Sequence, residues 1–210
     1  MGFGAQDYRT SQVWEAKRAR SPIRFARIGS MQTGMKTATI QRPEASEYNE
    51  YYEKYVSLID DADLLGTLES QIRETRDLFA GFPEERGTHA YAVGKWTVKE
   101  VISHLLDGER IFGYRLLRIA RGDQTPMEGF EQDGYIENSH ANERSFSDLL
   151  CEFAETRAAN LRLMRSMDDA DWQRVGTASG SPVSARALGF IMAGHVRHHL
   201  NIIQECYLAA

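Results

Sequence analysis

Apolar residues recur at three- and four-residue steps in four stretches of the chain, each bounded by capping or breaking residues. That period marks an amphipathic helix. The first stretch runs from about Leu64 to Ala80, with Leu64, Leu65, Leu68, Ile72, Thr75, Leu78 and Phe79 on one face. Asp63 is placed to cap its start, and Gly81 with Pro83 stops it. The second opens at Thr97-Val98-Lys99-Glu100, a capping box in which threonine and glutamate each satisfy an orphaned backbone N–H. Val98, Val101, Ile102, Leu105, Phe112, Leu116 and Ile119 carry it to about Arg121. The third starts at Ser145, a looser box with Asp148, and its stripe of Phe146, Leu149, Leu150, Phe153, Leu161 and Met164 ends near Met167. The fourth runs from Ser184 to about Leu208, with Leu188, Ile191, Met192, Val196, Leu200, Ile203 and Tyr207 on its apolar face.

Between the second and third helices lie 23 residues, 122–144. A connection that long suits two successive helices that run parallel, because the chain must cross the length of the bundle. Residues 35–60 are polar and aromatic, with Tyr48, Tyr51, Tyr52 and Tyr55 at helix-compatible spacing. They predict a short helix lapping over an edge of the main body. No stretch alternates as a strand would. The pattern predicts an all-α four-helix bundle, a single domain over 35–210.

Composition adds limits. The chain has 210 residues, 42% of them hydrophobic, enough for one core without staples. A net charge of −5 argues against a nucleic-acid binder that neutralises phosphates. The charge is uneven, +4 over residues 1–34 and −9 over the rest. The basic start lacks the apolar run of a secretory signal. It reads as a disordered extension outside the bundle, with sequence upstream of a start at Met35, or an organelle transit peptide, as the other readings. No apolar run approaches the ~20 residues needed to cross a bilayer. Cys151 and Cys206 form neither a CxxC pair nor a disulfide framework, which points to a reducing, cytoplasmic compartment. Their apolar helical neighbours place both in the core as inert thiols.

Three of six histidines fall in Gly194-His195-Val196-Arg197-His198-His199. His195 and His199 are spaced i, i+4 and share a helix face. His199 is in line with Met192, Ile203 and Cys206, whereas His198 lies beside Gly194, Asn201 and Glu205 on a wetter face. The inward pair is therefore His195 and His199. That spacing lets two imidazoles chelate one ion. Without an ion, two buried imidazoles must find partners for their acceptor nitrogens. His104 in the second helix is the candidate third ligand, with Gly108 leaving space one turn on. Asp107 and Glu109 are candidates to orient an imidazole or to act as acid or base. His89 and His140 fall in loops. The chain has no HExxH, GxxxxGK[ST], GxSxG or GxGxxG motif, and its one ExxH, Glu137 to His140, lies in the long connection.

The string Trp96-Thr97-Val98-Lys99-Glu100-Val101-Ile102-Ser103-His104-Leu105-Leu106-Asp107-Gly108-Glu109 resembles the opening of the second helix in DinB-like (YfiT-like) proteins. Gly194-His195-x-x-x-His199-x-x-Ile202 resembles their C-terminal helix, and Gly129-Phe130-Glu131-Gln132-Asp133 is similar to their loop after helix two. The resemblance covers residues 60–208. It implies a bundle of up-down-down-up topology and a divalent ion, Zn²⁺ or Ni²⁺, held by His104, His195 and His199. It also implies thiol-dependent S-transferase or isomerase chemistry with a small-molecule substrate and a low-molecular-weight thiol, and homodimers. A metal-dependent hydrolase and a non-catalytic stress-response or interaction module on the same fold are the competing expectations.

Overall fold

The computed structural model describes residues 40–60 and 63–208, all within the compact unit Thr37–Ala210. The expected N-terminal extension, residues 1–34, lies outside the described residues. Helix α1 is short, Glu53–Val56, and follows 3-10 turns at Ala45–Glu47 and Glu50–Tyr52. Long helices follow: α2 Leu64–Leu78 and α3 Val98–Ala120. Their caps are as expected. Asp63 accepts from Gly66 N at 2.9 Å, and Thr97 and Glu100 close the reciprocal box. The connection after α3 contains helix α4, Gln132–Glu137. Helix α5 spans Phe146–Arg165 and α6 Asp169–Gln173. Strands β1, Val175–Ala178, and β2, Ser181–Ser184, pair antiparallel before α7, Ala185–Ile202, which ends in a π-helical turn at Ile203–Leu208.

The hairpin corrects the expectation of a strand-free chain. Each strand has four residues, too few for alternation to rise above background. The segment before α4 extends the pairing, since Met127 N donates to the Thr177 carbonyl and Ser179 N to that of Met127. Exposed Cys151 corrects the expectation of a core thiol. It lies two residues from inward Leu149 and Phe153, so about 200° around the helix, and its Sγ faces Glu155.

Contacts between helices give the topology. On α3 and α5, Lys99 lies over the Phe146 ring near the start of both helices and Gly113 faces Asn160 further along both, so the two run parallel. On α2 and α5, Phe79 stacks on Phe146 and Glu69 pairs with Arg165, so these are antiparallel. Gln71 meets Ala193 and Glu74 meets Arg197, so α2 and α7 are parallel. The bundle is therefore up-down-down-up, and the long connection spans its length. Among the described residues no helix is long and apolar enough to cross a membrane.

Two apolar clusters fill the core, and a polar layer separates them. Arg157, fully buried on α5, binds both carboxylate oxygens of Glu109 at 2.8 and 2.6 Å. It also donates to Gln71 Oε1 at 2.9 Å and the Leu68 carbonyl at 3.2 Å. Gln71 in turn donates to the Ala193 carbonyl at 2.8 Å, so one network ties all four long helices.

Candidate metal centre

Helix α3 brings His104 inward, and α7 brings His195 and His199 to meet it. Their ring centroids lie 4.7–4.8 Å apart in every pair. His104 Nε2 and His195 Nε2 are 2.9 Å apart, and one nitrogen from each of the three lies within 4.8 Å of the others. Helical register explains the selection. His198, three residues from His195, turns aside; it packs its ring on Tyr55 at 5.3 Å and is only partly buried. Exposed His89 and His140 stay in connections.

Two glycines create the space. A Cβ at Gly108 would meet His195 Cε1 at 2.9 Å, so α3 approaches α7 only because position 108 has no side chain. A Cβ at Gly194 would fall 2.1 Å from the Tyr55 carbonyl oxygen. Gly194 thus admits α1, whose Tyr55 ring closes over His195 at 5.3 Å. Trp96 covers His104 at 4.7 Å and Phe112 covers His195 at 5.7 Å.

Burial sets the charge of the cluster. It lowers the His104 pKa to about 4, with His198 adding a smaller repulsion. It holds His195 well below the ordinary imidazole value, and His199 and His104 add to the effect. His199 is lowered chiefly by the same desolvation, with His104 next. All three rings are neutral at pH 7 and keep a lone pair each. Neutral imidazoles without a carboxylate suit a borderline ion such as Zn²⁺ or Ni²⁺ better than Mg²⁺ or Ca²⁺.

Neither carboxylate considered from the sequence orients an imidazole. Glu109 is committed to Arg157. Asp107 faces Arg110 in a separate depression with Arg144 and Glu152, and desolvation raises its pKa.

The cluster borders a cleft of about 340 Å³. His104, Gly108 and His195 form one wall, Tyr51, Tyr52, Tyr55 and Phe112 supply aromatic surface, and Gly129 to Gln132 with Ser179 close the far side. Of the four tyrosines expected to lap over an edge of the main body, Tyr51, Tyr52 and Tyr55 lie on this cleft. Ser179 was not legible as a site residue, although Ser179-Gly180 between Thr177 and Val183 is a turn signal.

No curated protein matches the chain. Among solved structures it is similar to YfiT from Bacillus subtilis, described as a probable metal-dependent hydrolase with an unusual four-helix bundle topology. That match has a TM-score of 0.61 and 18% identity over 80% of this chain and 91% of that one. It is also similar to a mycothiol-dependent maleylpyruvate isomerase, with a TM-score of 0.55 and 17% identity over 66% of this chain and 58% of that one. At these identities the likeness is one of fold. The family model of the DinB superfamily matches residues 67–203, most of the bundle, and the chain belongs to that superfamily.

Proposed function

We propose that the protein is a metal-dependent enzyme in which His104, His195 and His199 hold a divalent ion, Zn²⁺ or Ni²⁺, and which transfers a low-molecular-weight thiol to an electrophile. The observation that carries this reading is the convergence of three buried, neutral imidazoles beside an open cleft. Among the described residues the cleft lining contains no cysteine, so a thiol nucleophile would come from outside. When bound, the ion would supply Lewis acidity that favours the deprotonated form of that nucleophile. A thiol is far more acidic than water, so the thiol needs much the smaller shift. Among the described residues, no carboxylate is bonded to His104, His195 or His199 to help with the larger one. The protein's own groups hold the ion, shield it with Tyr55, Trp96 and Phe112, and offer aromatic walls to an apolar electrophile. The likeness in fold to a mycothiol-dependent isomerase supports this reading.

Metal analysis of protein purified without a nickel column, followed by incubation with glutathione, bacillithiol or mycothiol and a model electrophile, tests the proposal. Near-stoichiometric metal and thiol-dependent turnover, both lost in His195→Ala, are expected. Metal-free protein that takes up neither ion would overturn it. Hydrolysis is the second reading, favoured by Glu131, a carboxylate on the cleft wall, and by the description of YfiT. Turnover of an ester or amide without thiol would select it.

A further inference from the structure

Arg115 lies on the same stripe of α3 as His104, Gly108 and Phe112, one turn past Phe112. It is about 16 Å along the helix from His104 at ~1.5 Å per residue. It is 3% exposed. A buried guanidinium is costly unless its charge is answered. Arg157, equally deep, is answered by Glu109. Arg115 has no carboxylate within ion-pair distance among the described residues. Its Nη2 donates to the Glu128 carbonyl at 2.8 Å and to Ser179 Oγ at 2.9 Å, and its Nε and Nη1 make no hydrogen bond. Among the described residues, the fully buried side-chain nitrogens and oxygens without a partner reduce to Thr75 Oγ1, so Nε and Nη1 keep a sliver of exposure behind Ser179. The neighbouring wall is that of the cleft. Ser179 lines it, Glu128 precedes its Gly129, and the guanidinium carbon lies 5.9 Å from the centroid of Phe130.

Ser179 points the same way. Its φ of 51° is left-handed, at the first central position of a two-residue turn where asparagine or glycine would sit with less strain. Its Oγ accepts from Arg115, so its own O–H remains free to donate. The carboxylate on the wall, Glu131, caps α4 through the Asp133 N–H. Arg115 is thus the buried cation behind this cleft, whereas Lys54 lies over the Tyr51 and Tyr55 rings.

We propose that Arg115 and Ser179 form a subsite for a substrate carboxylate. The rings of Tyr52, Phe112 and Phe130 hold a flat apolar body between that carboxylate and the histidines, so the ligand class is a small aryl or otherwise apolar organic acid. This names the substrate class of the cleft proposed above and rests on that cleft being the reaction site.

The test is calorimetric binding of 3-phenylpropanoate and its neutral amide to the full chain as purified, with metal content measured in each preparation. The acid is expected to bind roughly tenfold or more tighter than the amide, as a charge-assisted hydrogen bond would give. That preference falls to near parity in Arg115→Met and is reduced in Ser179→Gly, which relieves the turn and so keeps the fold if Arg115→Met does not. No preference in the wild type, or a preference unchanged in either folded variant, would overturn the proposal. A preference that follows Arg115 in protein taking up no metal would sustain the subsite while the metal reading fails. Metal-dependent turnover without the preference would do the reverse.

Discussion

A methyl group at position 108 would press on a packed ring. His195 is flanked by His104, His199, Tyr55 and Phe112, so its Cε1, 2.9 Å from that methyl, can yield only toward the cleft it lines. Gly108→Ala would gain about 1 kcal/mol of helix propensity and lose about 1–3 kcal/mol to overpacking. The larger effect belongs to the site. Displacing a ring that is a ligand on the proposed reading is expected to weaken Zn²⁺ binding roughly 10- to 100-fold, as loss of supporting contacts does elsewhere. Competition with a chromogenic chelator measures it. An unchanged affinity with a raised melting temperature would show that the ring yields freely.

Among the elements, the parallel pair α3 and α5 is where one residue commits most. Arg157 is wholly buried and Glu109 is 2% exposed. Arg157→Met leaves Glu109 charged and unanswered, which is expected to cost about 3–5 kcal/mol. Changing Glu109→Leu as well removes the orphaned charge and is expected to recover part of that loss, although Gln71 Oε1 keeps a missing donor. Denaturant melts of the single and double variants give the comparison. A single variant within ~0.5 kcal/mol of wild type would mean that water reaches Glu109. The caps at Asp63, Thr97, Ser145 and Ser184 were readable because each depends on residues three or four apart. The hairpin was not, because its four-residue strands are too short for alternation to show and the strand-like segment that extends it, at Met127, lies about 50 residues upstream.

For the whole molecule, an ion bound only by the folded state would shift melting by mass action. A free concentration of one hundred times Kd stabilises by about 2.7 kcal/mol. For a chain of this size that corresponds to roughly 5–10 °C. Chelation is expected to lower the melting temperature by that amount and Zn²⁺ or Ni²⁺ to restore it. The same shift is expected in a chain beginning at Met35, because the described cleft lining starts at Tyr51. Scanning calorimetry of both chains, with and without chelator, checks it. A shift confined to the full-length chain would place part of the metal site in the first 34 residues.

The sequence by itself determined the four long helices, most of their ends and the register that separates His195 and His199 from His198, because periodicity and capping act within one or two turns. The 23-residue connection likewise told that α3 and α5 run parallel. Tertiary structure alone decided which charges are answered. Glu109 and Arg157 are 48 residues apart, so nothing local marks Glu109 as spent or Arg115 as open. It also decided that Cys151 faces solvent and that Ser179 reaches the cleft. A helix face is written in its own period, whereas the partner that fills or leaves empty a buried polar group arrives from a distant part of the chain.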